Sequence, residues 1–187
     1  QGYFISKQLI AVLLGMGAFA TAAYLPTPFW AKITQPLIIA AVIGSIIVMV
    51  IPVDSIYEAR RWIRVGGFSF QVAELIKLAL LLWSAGFLAR HWREGKLADY
   101  KATLRPLIIV LLLVGMVVAK LQSDLGSAAV MVVMIGIMAF SAGIPLKKVA
   151  LIGGLVLMIG TLAIATSDYR RERLVTFMNP EADCVDS

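Results

Sequence analysis

The sequence predicts an all-α fold, a polytopic membrane helix bundle with about six transmembrane helices, and three observations predict it. Hydrophobic residues make up 60% of the 187 positions and mean hydropathy is +0.91, well above a water-soluble domain. Between charged residues the chain runs without interruption over several stretches, each near the roughly 20 residues that cross hydrocarbon. Proline and glycine fall between those stretches, where helices stop.

Taken in order, the first two helices are expected at residues 8–31 and 33–53, divided at Lys32, with Pro26, Pro28 and Pro36 bracketing the connection. The segment Asp54 to Gln71 follows, where Gly66 and Gly67 allow the chain to turn. A third helix at residues 71–90 is expected despite Glu74 and Lys77. The stretch from Arg90 to Arg105 is soluble in character, so it connects rather than spans. A fourth helix at 106–121 has a short apolar run, Pro106 to Ala119, and must tilt, end early or use Lys120 as a snorkelling terminus. The fifth and sixth are expected at 125–143, closed by Gly143 and Pro145, and at 148–167. Residues 168–187 form a polar tail, and residues 1–187 read as a single integral membrane domain. The first residue is not Met and no closing element ends the tail, so the chain reads as a piece of a longer one.

Charge narrows function mainly by exclusion. The formal net charge of +6 is spread over loops on both faces without a nucleic-acid module, so no nucleic-acid partner is expected. A single Cys184 cannot form an internal disulfide, His91 stands alone, and no phosphate-binding loop or nucleophile elbow is present. Lys and Arg do not orient the chain either. Lys32, the Arg90 to Arg105 cluster, Lys147 and Lys148 on one side balance Lys7, Arg60, Arg61, Arg64, Lys120, Arg170, Arg171 and Arg173 on the other.

The polar residues within and beside the spans carry more information. An ionisable side chain at a membrane helix centre costs roughly 2.5 to 3.5 kcal/mol, so such residues usually face a bundle interior or a wet cavity. Glu74 and Lys77 are spaced i, i+3 on one face, acid first, where the helix dipole favours it. They either form an ion pair that locks helices together or serve function. Arg60, Arg61, Trp62 and Arg64 form a basic, aromatic patch that is either an interfacial anchor or part of a site. Gln122, Ser123 and Asp124 precede an apolar span, and Asp124 suits an N-cap as well as a functional carboxylate.

These segments in this order resemble the SEDS family of peptidoglycan glycosyltransferases (FtsW/RodA/SpoVE). The run from Glu58 through Arg61-Trp62-Ile63, Gly66, Phe70-Gln71 and Glu74 to Lys77 matches one family pattern, and Gln122-Ser123-Asp124-Leu125-Gly126-Ser127-Ala128 matches a second. Phe140 to Gly143 also fits, and the segments from Tyr169 to Leu174 and Phe177 to Asp183 look closer to the FtsW branch than to RodA. Val72 and Ser123 stand where the family usually has proline, and Cys184-Val185-Asp186 replaces a Pro-x-Gly, so the helix starts are less sharply fixed.

The resemblance implies the second through seventh of about ten membrane helices, with residues 168–187 beginning an extracellular loop. It implies polymerisation of lipid II into glycan strands during bacterial cell division, in the cytoplasmic (inner) membrane, by a multi-pass protein. Arg61, Lys77 and Arg173 would contact pyrophosphate or sugar, Glu74 would orient Lys77 or help hold a metal, and Gln122 with Asp124 would line the same cavity. Mg2+ or Mn2+ at Glu74 or Asp124 is the metal expectation. The family's catalytic aspartate falls beyond Ser187, so the 187 residues alone are expected to be inactive. Implied partners are undecaprenyl-pyrophosphate-linked lipid II, a class B penicillin-binding protein acting as transpeptidase, and other division proteins. A lipid II flippase and a non-catalytic division scaffold are the alternatives, since charge inside a bundle also suits transport.

Overall fold

The computed structural model describes residues 2–50, 62–65, 68–122 and 124–165. Six α-helices dominate: α1 (Gly2–Tyr24), α2 (Thr27–Val50), α3 (Val72–Arg93), α4 (Arg105–Met116), α5 (Leu125–Ser141) and α6 (Leu146–Ala165). Two short strands, β1 (Trp62–Val65) and β2 (Phe68–Gln71), pair antiparallel between α2 and α3, with Trp62 opposite Gln71 and Val65 opposite Phe68. This hairpin corrects the purely helical expectation. Trp62, Ile63 and Val65 of β1 and Phe68 and Phe70 of β2 are aromatic or branched residues that favour strands, β2 alternates them with Ser69 and Gln71, and Gly66-Gly67 lies between the two in sequence.

The first helix boundary also differs from expectation. The break lies at Leu25 and Pro26, not at Lys32, which is exposed in the second turn of α2. Pro26 and Pro28 mark this boundary, since proline suits a helix's first turn, whereas an exposed lysine near a helix end reaches water with its own stem; Pro36, expected to bracket the connection, instead lies inside α2. The basic connection is shorter than expected as well. α3 continues to Arg93, and a wide π-type turn resumes at Tyr100–Leu104. A second such turn at Val117–Leu121 extends α4 at its far end. Helical structure from Tyr100 onward therefore lengthens the apolar run of α4, and Tyr100–Ala119 is one of three helical segments among the described residues that are long and apolar enough to cross a membrane. The others are Thr27–Val50 and Val72–Arg93.

Packing follows small-residue stripes. Ala41, Gly44, Ser45 and Val48 recur at helical spacing along α2 and are buried. They let α3 approach closely: a Cβ on Gly44 would lie 3.3 Å from Val72 Cγ1. Close approach through small residues is how membrane helices associate where apolar burial offers little advantage over lipid. The stripe Val72, Ala73, Ile76, Ala79, Leu80 of α3 faces this seam, and Ala128, Met131, Ile135 and Ala139 of α5 complete the core beside it. By contrast, α1 exposes apolar side chains around its circumference, Leu13, Leu14 and Phe19 among them.

α3 and α5 end in the same way. Gly95 (φ 68°) and Gly143 (φ 105°) take the left-handed conformation after the last turn. The Lys96 N–H then donates to His91 O at 2.9 Å, and Ile144 N–H to Ala139 O at 3.0 Å. These six-to-one bonds satisfy helix-end carbonyls and stop the helix. Between α3 and the π-type turn, Asp99 accepts from Lys101 N–H (2.8 Å) and Ala102 N–H (3.2 Å). Those two backbone bonds, Ala102 first, hold its carboxyl below the ordinary 3.8. Thr103 Oγ1 donates to Lys96 O at 2.7 Å, and Lys148 Nζ, from the start of α6, donates to Ala98 O at 2.7 Å. The end of the bundle bearing the basic residues is thereby tied together.

Candidate functional site

The opposite end, where α3 and α5 begin, gathers the polar residues singled out by sequence. Asp124 is the N-cap of α5 and is 6% exposed. Its Oδ1 accepts from Ser127 N–H at 3.0 Å, and its Oδ2 accepts from Ser127 Oγ at 2.9 Å and from Gln71 Nε2 at 2.7 Å. Capping is thus realised, because the carboxylate satisfies an amide that would otherwise be orphaned. The Gln71 bond adds a tertiary link, joining the last residue of β2 to the first turn of α5 across 53 residues.

Gln122, completely buried, lies just before Asp124 in the chain. Its Nε2 reaches Ser45 Oγ at 3.5 Å, a long contact, and Ser45 Oγ itself donates to Ala41 O at 2.8 Å. The Gln122 Oε1 has no hydrogen-bond partner among the described residues. An unpaired buried amide oxygen costs about 1–3 kcal/mol, so this position is held at the expense of stability.

Glu74 and Lys77 form their ion pair within α3, Lys77 Nζ to Glu74 Oε1 at 2.6 Å. Burial divides them: the Lys77 side chain is 22% exposed and that of Glu74 is 57% exposed. This corrects the expectation that both face the interior. Val72, Ala73, Ile76 and Ala79 take the buried face of α3; by helical spacing Lys77 borders it while Glu74 lies a further 60° or so around. A pair this exposed contributes little as a helix lock.

The structure therefore brings Gln122 and Asp124 to one end of the bundle with Gln71, Ser127 and Ser45, and places the Glu74–Lys77 pair in the first two turns of α3 beside them. Arg61 and Arg173 lie outside the described residues. A metal at Glu74 or Asp124 fits poorly. Both Asp124 oxygens are engaged by donors, Glu74 is engaged by an ammonium, and the described residues contain no group of three or more acidic, His or Cys side chains placed to hold an ion. No step is assigned to a metal.

Sequence reasoning missed the roles of Gln71, Ser127 and Ser45. Ser127 was detectable, since Asp followed three residues later by a hydroxyl is a local capping pattern. Ser45 and the Gln71 partnership had no local signal, because each depends on a residue more than 50 positions away.

Fold and site together define a multi-pass membrane protein whose helix starts converge on a buried polar cluster. A profile of the FtsW/RodA/SpoVE family, described as cell cycle proteins, matches residues 1–187. The chain belongs to that family. It is 30% identical over 186 residues to a probable peptidoglycan glycosyltransferase FtsW of Methylomonas methanica, covering 99% of this chain and 47% of that protein. A protein of the same description from Saccharophagus degradans is 34% identical over 194 residues, with 99% and 47% covered. In Geobacter sulfurreducens the corresponding values are 30% over 186 residues, with 99% and 49% covered. The chain thus spans about half the length of these curated relatives. Among solved structures, a chain from work on a peptidoglycan synthase complex that coordinates polymerization and crosslinking superposes with a TM-score of 0.64 at 26% identity, covering 94% of this chain and 51% of that one.

Proposed function

We propose that the protein is a peptidoglycan glycosyltransferase of the bacterial inner membrane that polymerises lipid II into glycan strands during cell division, alongside a class B penicillin-binding protein. The observation that carries this reading is the Gln71–Asp124 bond, by which the two sequence segments matching the family meet at one end of the bundle. Beside that junction the Glu74 carboxylate restrains the Lys77 ammonium.

The reaction joins a sugar hydroxyl to an anomeric carbon and expels a pyrophosphate-bearing lipid. Negative charge grows on that leaving group, and a restrained cation stabilises it through charge-assisted hydrogen bonds. Lys77 fits this role, with Arg61 and Arg173 as further cations. Glu74 is then a positioning residue. Asp124, with both oxygens occupied by donors, holds the α3 and α5 ends in register rather than taking a proton. The apolar helix surfaces suit the polyprenyl tail.

The test is glycan polymer formation from lipid II by charge-removing variants of the full-length protein. Lys77→Met is expected to lower the rate roughly a hundredfold, the scale of losing one electrostatic stabiliser of developing charge. Glu74→Gln and Asp124→Asn should lower it less. Normal polymer from all three variants would end this reading, and lipid scrambling in vesicles without polymer would turn it toward a flippase.

A further inference from the structure

At the end of the bundle remote from the candidate site, α3 and α5 leave an open groove of about 570 Å³ between them. Ala85, Leu88, Ala89 and Trp92 of α3 wall one side at helical spacing, and Met138 with Ala142 walls the other. Small side chains make the floor, and Trp92, 66% exposed, stands at the rim. A tryptophan there marks the level of lipid headgroups, where its ring is apolar and its N–H is wet.

Cations stand around the same end. Arg93 follows Ala89 by four residues, so it lies one turn beyond the groove on the same side of α3. Lys147 lies five residues past Ala142 in the first turn of α6. Both are exposed, and neither has a hydrogen bond or ion pair among the described residues. Several neighbouring charges are otherwise engaged. Lys96 pairs with Glu94 at 3.0 Å, Lys148 bonds Ala98 O, and Asp99 is occupied by backbone amides. Glu94 therefore offers little to compete for Arg93, and its carboxyl is held below the ordinary 4.5 chiefly by the Lys96 hydrogen bond and charge.

We propose that this groove binds one acyl chain of an anionic phospholipid, with the phosphate of its headgroup held by Arg93 and Lys147. An apolar trough, an exposed indole and two exposed cations at one end of the bundle match the parts of such a lipid. A zwitterionic lipid would fill the trough but gain less from the cations, each of which is attracted to anionic headgroups near the surface. The site is independent of the reading given for the opposite end.

The test is native mass spectrometry of the detergent-purified protein with phosphatidylglycerol or phosphatidylcholine added. Wild type should retain phosphatidylglycerol preferentially. The Arg93→Gln, Lys147→Gln double variant should lose about tenfold or more in phosphatidylglycerol affinity while phosphatidylcholine is unaffected, as expected for two surface cations. Ala89→Trp, which fills the trough without changing charge, should reduce phosphatidylglycerol retention by a similar factor. Wild-type retention in Ala89→Trp, or an equal loss of both lipids in the double variant, would overturn the proposal.

Discussion

Asp124 shows how one side chain serves two scales of structure. Its bonds to Ser127 are local and begin α5, whereas its bond from Gln71 fixes where α3 begins relative to α5. A double-mutant cycle separates the two. Asp124→Ala should cost about 0.5–2 kcal/mol from the cap alone. Combined with Gln71→Ala, it should show a coupling of about 0.5–3 kcal/mol, the range for residues in direct contact. Thermal unfolding in detergent reads this coupling, and strict additivity would mean that the bridge contributes nothing. Both segments were legible as motifs, and so was the capping role of the aspartate. Their partnership was not, because a contact across 53 residues leaves no trace in local spacing.

Between elements, α2 and α3 depend on the absence of a side chain at Gly44, whose added Cβ would meet Val72 Cγ1 at 3.3 Å. A larger residue must push the helices apart. Gly44→Leu is expected to destabilise by about 1–3 kcal/mol through overpacking, and Val72→Ala in the same chain should restore part of the loss. Unchanged melting of Gly44→Leu would show that the helices do not meet there. The helices themselves were readable from apolar length. Their ends were less so: Pro26 and Pro28, not Lys32, mark the start of α2, and the π-type turn before α4 carries helical structure into Tyr100–Leu104, which reads as connection in the sequence. The β1–β2 hairpin was hidden for a similar reason, since two four-residue strands are too short to compete with adjacent spans in any hydropathy average.

For the whole molecule, the Gln71–Asp124 and Lys148–Ala98 bonds pin opposite ends of the bundle and so sort its polar groups into two sets. On the function proposed above, the set around Glu94 to Asp99 should lie on the cytoplasmic side, opposite the end at which lipid II would be polymerised. With Cys184 replaced by Ser, Lys96→Cys should resist a membrane-impermeant thiol reagent in intact cells and react once the cytoplasm is opened. Labelling in intact cells would invert the topology.

By itself the sequence determined that this is a multi-pass helical membrane protein, because apolar length against bilayer thickness is a local property, and its ordered motifs pointed to the family. Only the tertiary structure decided which polar residues meet. It buried Gln122 and Asp124, left Glu74 exposed on the flank of α3, and opened the groove beside Trp92. Those outcomes depend on how small-residue stripes let helices approach and rotate against one another, a relation between distant segments that no single stretch of chain encodes.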